Sequence, residues 1–340
     1  MKIPGRSLLL LSTALATIGA GGALAAAPPG LPSPGKGLNI LLVGVDSRAR
    51  VSPDERVHFN LGNVECGCTD VIMLVHVSAK NDRVSVVSLP RDSLTILPKH
   101  RDRHTGELVP AHQAKLNSAW KQGGPSFTIE MVEAMTKLPV HRYLEVDFRR
   151  FMDSVDVVDG VPICSKKPLK DPATGLNLPS NVTRRVHGGE ALQYVRSRKA
   201  DGEADFGRIK KQQRFVTNTL REVRAHLYRD ADWMRWFAET LRGKAAAERA
   251  ISAPELLTLA KRLRNLTPEK TEFATVPIKK INPLIPGVGA TISWDVDYAA
   301  EVFGQLRADR KLPKPNPKKY PTQTKLGEYK PMGGKSLLCG

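Results

Sequence analysis

The chain has 340 residues, 41% of them hydrophobic and 25% charged, with a formal net charge of +18 at pH 7. This composition excludes a disordered chain and a multi-span membrane protein. Aromatic residues make up only 6% and no repeat of about 20–50 residues is present, which excludes solenoids and propellers. The basic excess points to an anionic partner, whether nucleic acid, a membrane surface or a phosphate-rich polymer.

In chain order, Lys2 and Arg6 precede an uncharged stretch, Ser7 to Ala27, centred on Leu8–Leu11 and ending near Ala23-Leu24-Ala25. A basic start, an apolar middle and a small-residue site describe a signal peptide. As a helix the same stretch spans roughly 30 Å, so a retained membrane anchor fits equally. Residues 28–36 read as a Pro/Gly linker. Either reading of residues 1–27 places the remainder outside the cytoplasm, associated with the cell envelope. There Cys66, Cys68, Cys164 and Cys339 can form disulfides, in any of three connectivities. Export, and the lack of a zinc finger or an aromatic-rich basic platform, argue against nucleic acid as the partner.

The runs Ile40–Val43, Val71–Val77 and Val84–Leu89 are short, β-rich and scarcely alternating, as expected of strands covered on both faces. The Lys80-Asn81-Asp82 link suits an antiparallel hairpin. Helical patterns follow over Phe127–Thr136, Phe148–Val158 and Gly189–Val195. A long helix from Asp205 carries Ile209, Val216, Leu220, Val223 and Leu227 as its buried stripe. Trp233–Leu241 and Pro254–Leu263 also read as helices, Thr271–Ile278 as a strand and Asp297–Leu306 as a closing helix. The order predicts an α/β fold with a central sheet between helical layers. Past Arg310 the chain is rich in lysine and proline, and residues 309–340 read as a basic, disordered tail.

Charged residues gather at the strand ends: Asp46 and Arg48 after the first, Asp70 at the start of the second, Arg91 and Asp92 after the third. Ligand sites of open α/β sheets collect there. Further on, Tyr194-Val195-Arg196-Ser197-Arg198 precedes Asp205-Phe206-Gly207-Arg208 and Gln212. Arg208 and Gln212 share one helix face, and arginine forks suit phosphate oxygens. Three arginines and a glutamine around one concave site imply a polyphosphate or a diphosphate. Two carboxylates beside it would be repelled unless a hard cation lies between, and Mg2+ fits because it binds through one or two carboxylates plus phosphate oxygens.

With these motifs in order, and with Lys115-Leu116-Asn117-Ser118-Ala119 between them, the chain resembles the LytR-CpsA-Psr family of cell-wall glycopolymer transferases from about Gly37 to Leu306. The resemblance implies a catalytic domain over residues 37–308. It implies a three-layer α/β/α sandwich with a mixed sheet and a deep apolar pocket for a polyprenyl lipid. Asp46 and Asp70 would organise Mg2+, and Arg48, Arg91, Lys115, Arg196, Arg198, Arg208 and Gln212 would bind phosphate. Asp46, Asp70, Arg91 and Asp92 form the expected catalytic set. Cys68 stands where an arginine is usual, and Val71 where Ser or Thr is usual. Cys68 is a candidate to pair with Cys164, as is Cys66.

The expected activity is that of an exported, Mg2+-dependent phosphotransferase. It would move a glycopolymer from a polyprenyl-(di)phosphate carrier to a peptidoglycan sugar hydroxyl at the membrane surface. The alternative is an envelope protein that binds polyprenyl phosphate or a polyanion without turnover.

Overall fold

Residues 38–45 are apolar at nearly every position, so this strand can be stable only where helices cover both of its faces. A computed structural model, which describes residues 31–32, 35, 37–227, 231–242, 249–321 and 326–339, places it there. Strand β1 (Leu38–Val45) pairs antiparallel with β2 (Thr69–Val77), which pairs antiparallel with β3 (Val84–Ser88). Asn81, at φ +56°, makes the predicted hairpin turn between β2 and β3. The strand Arg142–Val146 lies parallel to the other edge of β1, and Thr271–Thr275 lies parallel to β3. Met332–Gly333 closes the far edge, giving a mixed six-stranded sheet.

Alternation along β1 separates the two cores. Leu41, Val43 and Val45 pack with Phe127 and Val132 of one helix and Val302 and Phe303 of another. Leu38 and Ile40 face the opposite layer with Met73, Val86 and Phe273. The helices in chain order are α1 (Pro53–His58), α2 (Asn117–Thr136), α3 (Phe148–Val157), α4 (Gly188–Arg196), α5 (Ala204–Leu227), α6 (Ala231–Arg242), α7 (Ala253–Arg262) and α8 (Val296–Arg307). Helices α2 and α8 cover one sheet face, and α5 to α7 flank the other. The expected three-layer α/β/α arrangement is therefore observed.

Local signals set the element ends. Asp147 caps α3 by accepting the Arg150 amide, and Ser252 with Glu255 forms a capping box on α7. Helix α2 begins ten residues before the predicted Phe127 and bends at Gly124 and Pro125; the Gly-Gly-Pro run reads as a stop but here only kinks the helix. The predicted strand Thr271–Ile278 ends at Thr275, and Ile278 opens a separate hairpin, Ile278–Ile285 with Gly289–Trp294.

Two expectations need correction. The stripe on α5 is not uniformly packed: Ile209 is buried, Val216 only partly, and Leu220 is 40% exposed. Val216, Leu220 and Val223 line a cavity instead. The tail is not a free extension in its described part. Leu312, Tyr329, Leu337 and Cys339 are buried, Met332–Gly333 joins the sheet, and Cys339 is bonded to Cys164. A few apolar residues among exposed lysines, together with a covalent bridge, are enough to hold it. The expected export segment 1–27 and most of the linker 28–36 lie outside the described residues. Among those described, no helix is long and apolar enough to cross a membrane.

Candidate active site

Between the sheet and helices α5, α6 and α7 lies a cavity of about 980 Å3, walled by side chains such as Ile40, Met73, Val86, Leu144, Val216 and Phe237. Its wall is apolar because β1, β2 and β3 present Ile, Met and Val there while α5 turns its half-buried stripe inward. Asp70, Arg196, Arg208 and Gln212 also line it, at the strand-end side.

The charged mouth is built around Asp70. Arg91, just past β3, donates through Nη1 to Asp70 Oδ1. Arg208, on the first turns of α5 and only 3% exposed, reaches the same oxygen at 3.5 Å, and Arg198 Nη2 lies 3.9 Å from it. Asp205 ties two of these arginines together, standing 3.0 Å from Arg208 and 3.4 Å from Arg198. Burial works against a charge on Asp70, but Arg208, Arg91 and Arg198 outweigh it and hold the carboxyl below its usual range. Arg208 is itself pulled below its ordinary value by burial, which Asp205 and Asp70 only partly offset. Its Nε is buried without a hydrogen-bond partner, as is that of Arg91. Arg83, Arg184 and Arg224 likewise have an unpaired buried Nε, so it is the convergence of three arginines, and not these atoms, that suits an anion at the mouth.

A second group adjoins the first. Arg48 donates to both oxygens of Asp46, at 2.8 and 2.9 Å, with both side chains buried. Phe148 lies under two guanidinium groups, 5.6 Å from Arg48 and 5.2 Å from Arg196. Burial and then Arg48 lower the Arg196 pKa, with Asp46 and Asp70 opposing; Arg196 therefore sits within the field of both carboxylates. Gln212 donates to Val195 O at 3.2 Å, fastening α5 to the end of α4 that carries Arg196. At the outer rim, Lys115 lies 3.3 Å from Asp92 and Arg91 lies 3.7 Å from it.

The residues singled out from sequence thus fall in three groups: Asp46 with Arg48 and Arg196; Asp70 with Arg91, Arg198 and Arg208; and Asp92 with Lys115, the last two joined through Arg91, while Gln212 bonds the Val195 carbonyl. Sequence reading named Asp205 within its motif without giving it a role, and it did not single out Phe148. Asp205 lies three residues before Arg208, and this i, i+3 spacing on a helix was the available signal. For Phe148, far from Arg48 in sequence, there was none. The disulfides also differ from expectation. Cys66 bonds to Cys68 and Cys164 to Cys339, so neither Cys68 nor Cys66 pairs with Cys164. Cys164 sits on a short hairpin beside α5, and Arg214 donates to its carbonyl at 2.9 Å. The returning C-terminus reaches it there.

The donor set suits Mg2+ unequally at its two carboxylates. All three arginine contacts to Asp70 fall on Oδ1, so Oδ2 is the oxygen that would be offered to a cation. Asp46 has both oxygens engaged by Arg48 and would contribute through a remaining lone pair. Among the described residues, no group of three or more His, Cys, Asp or Glu converges to hold a metal alone.

In class, this is a mixed α/β/α domain with an apolar cavity beneath an arginine–carboxylate mouth, chemically able to hold an amphiphile by an anionic head. The chain belongs to the LytR_cpsA_psr family, whose model matches residues 27–300. It is 26% identical over 286 residues to the cell wall biosynthesis protein LcpA of Corynebacterium glutamicum, covering 78% of this chain and 54% of that protein. It is 29% identical over 188 residues to the polyisoprenyl-teichoic acid–peptidoglycan teichoic acid transferase TagU of Bacillus mycoides, covering 54% and 52%. The chain therefore spans about half the length of these curated relatives. Among solved structures, B. subtilis TagV superposes with a TM-score of 0.59 at 22% identity, covering 81% of this chain and 97% of that one. At that identity the likeness establishes the fold.

Proposed function

We propose that the protein is a cell-envelope phosphotransferase. It would transfer a glycopolymer from a polyprenyl-(di)phosphate carrier to a sugar hydroxyl of peptidoglycan. The observation that carries this reading is the apolar cavity opening directly onto the buried Arg208–Asp70 cluster. The isoprenoid occupies the cavity and the (di)phosphate lies against Arg91, Arg196, Arg198 and Arg208. Work outside the cytoplasm, at the membrane surface, follows from the same reading of the lipid carrier.

In the reaction, the acceptor oxygen forms a bond to the sugar-side phosphorus while the bond from that phosphorus to the bridging oxygen breaks. The lipid leaves as its phosphate. Asp92 takes the acceptor's proton; its nearest cation, Lys115, stands 3.3 Å away, farther than the nearest cation of Asp46, Asp70 or Asp205. The guanidinium groups hold the phosphoryl oxygens in place, and most of phosphoryl-transfer catalysis is such positioning and charge neutralisation. Mg2+, held through Asp70 Oδ2 and Asp46, would neutralise further charge on the diphosphate.

The test incubates the purified protein with lipid-linked glycopolymer, peptidoglycan fragments and Mg2+, and measures covalent attachment. Attachment should require the metal, stop with EDTA, and fall at least about 100-fold in Asp70→Asn and Arg196→Ala variants that still fold. Attachment undiminished by both substitutions would refute the assignment. Bound lipid without any product would favour the binding-protein alternative.

A further inference from the structure

We infer that Asp171, which lies outside the mouth, is a positioning residue that sets the backbone carrying Arg198. Asp171 ends the strand Leu169–Asp171 of a short hairpin and is only 1% exposed. One carboxylate oxygen, Oδ2, accepts two consecutive amides, from Arg198 at 2.7 Å and Lys199 at 3.0 Å. The other, Oδ1, accepts the Ala173 amide at 3.0 Å. Three backbone donors on one buried carboxylate make it acceptor-only at both oxygens, a role an amide side chain cannot fill. Burial opposes its charge, and the amides of Lys199, Arg198 and Ala173 more than offset this, lowering its pKa.

The loop after α4 is held on its near side by buried Ser197, whose hydroxyl donates to Tyr194 O at 3.1 Å, and at the next two residues by Asp171. It leaves the helix at Arg196, and its Arg198 side chain must reach both Asp70 and Asp205. Fixing two successive peptide units defines the direction in which the Arg198 side chain departs.

The same hairpin turn also touches the support of Arg196. Gly175 has φ +80°, and a Cβ built on it would stand 2.7 Å from Asn60 Nδ2. That close approach brings Asn60 against the turn, and the Asn60 carbonyl accepts from Arg196 Nη1 at 3.3 Å. The Asp171 carboxylate itself acts only on the Arg198 side of the segment, and the approach of Gly175 to Asn60 is a separate contact of the same turn.

The inference rests on the reading that these arginines grip a diphosphate, and its test separates the two. Binding of geranylgeranyl diphosphate to the full chain is measured for wild type, Asp171→Asn, Arg198→Ala and the double variant. Charge alone predicts that Asp171→Asn tightens binding, since it removes a negative group beside an anion site. Positioning predicts about tenfold weaker binding, with the double variant no weaker than Arg198→Ala alone. Asp171→Glu keeps the charge but moves the acceptor, and should weaken binding like the Asn variant. In the wild-type protein, hydrogen exchange should find the amides of Arg198 and Lys199 protected. Wild-type affinity in Asp171→Asn, additive losses in the double variant, or freely exchanging amides would each overturn the role of Asp171. Failure of the wild type to bind the diphosphate would instead overturn the functional reading, and with it this one.

Discussion

If the cavity holds an isoprenoid, affinity should climb with prenyl length and then stop where the wall stops. Helix α5 supplies that wall: Arg208 stands at the mouth and Arg224 lines the far end. Sixteen residues at the helical rise span about 24 Å, room for about five isoprenoid units at about 5 Å each. Full transfer of five carbons from water is worth roughly 4 kcal/mol as an upper limit. Ligand efficiencies of drug-sized molecules bring this down to about 1.5 kcal/mol, or about tenfold per unit. Val216 lines the cavity eight residues beyond Arg208, about 12 Å along the axis. A Val216→Trp substitution should therefore block the channel after about two units. Titration with inorganic pyrophosphate and with prenyl diphosphates of increasing length should separate the two proteins. Wild type should gain about tenfold per unit up to about five units. Val216→Trp should match it for pyrophosphate and the two-unit ligand, then lag by about 100-fold at four units. A flat length series in wild type, or a variant that follows wild type at every length, would refute the assignment of the cavity.

Two further outcomes concern stability. Asp70 has a depressed pKa in the folded protein, so its stabilising contribution is present above about pH 4 and is lost as pH falls through the folded value. The difference in thermal stability between wild type and Asp70→Asn should be largest at neutral pH and shrink in acid; a difference unchanged down to pH 3 would contradict this. The Cys164–Cys339 bridge closes a separation of 175 residues whereas Cys66–Cys68 closes one of 2. The chain-entropy relation gives the longer loop roughly 5 kcal/mol at most. Denaturant unfolding should find Cys339→Ser strongly destabilised and Cys66→Ser nearly unchanged, and equal losses would argue against the entropic account.

The strand runs were legible because burial on both faces requires apolar residues at almost every position, and β1, β2 and β3 meet that requirement without ambiguity. The charges at their ends were legible for a related reason: a polar group immediately after such a run lies at the rim of the sheet. The stripe on α5 was misjudged because hydrophobic periodicity reports only that a face avoids water. Val216 and Leu220 satisfy the same pattern whether they pack on a protein core or line a cavity. The tail was misjudged because composition averages over residues. Its described lysines are exposed as expected, but Leu312, Tyr329 and Leu337 each find a pocket, and the bond from Cys339 to Cys164 lowers the entropy the tail must lose on ordering. No spacing rule could have chosen that bond among three connectivities.

The two departures from the family pattern fall beside Asp70 and find different explanations in the structure. Val71 faces the cavity, and a Cβ on Gly44 of the neighbouring strand would stand 3.0 Å from its own Cβ. A Ser or Thr there would offer a hydroxyl to the mouth; Val71 instead carries the apolar wall up to Asp70. Cys68 contributes through its backbone, its carbonyl accepting the Asp46 amide at 3.1 Å, while its sulfur is bonded to Cys66. The segment entering β2 therefore holds Asp46 and Asp70 in register without supplying a cation of its own. Loss of one preorganised donor costs roughly 10²–10³-fold in rate when nothing replaces it. Here Arg91, Arg198 and Arg208 all converge on a single oxygen of Asp70, two of them from α5 and the loop before it. Where the strand offers no cation of its own, Arg198 and Arg208 of that loop and helix stand beside Asp70, so the backbone of the loop bears directly on the geometry of the mouth.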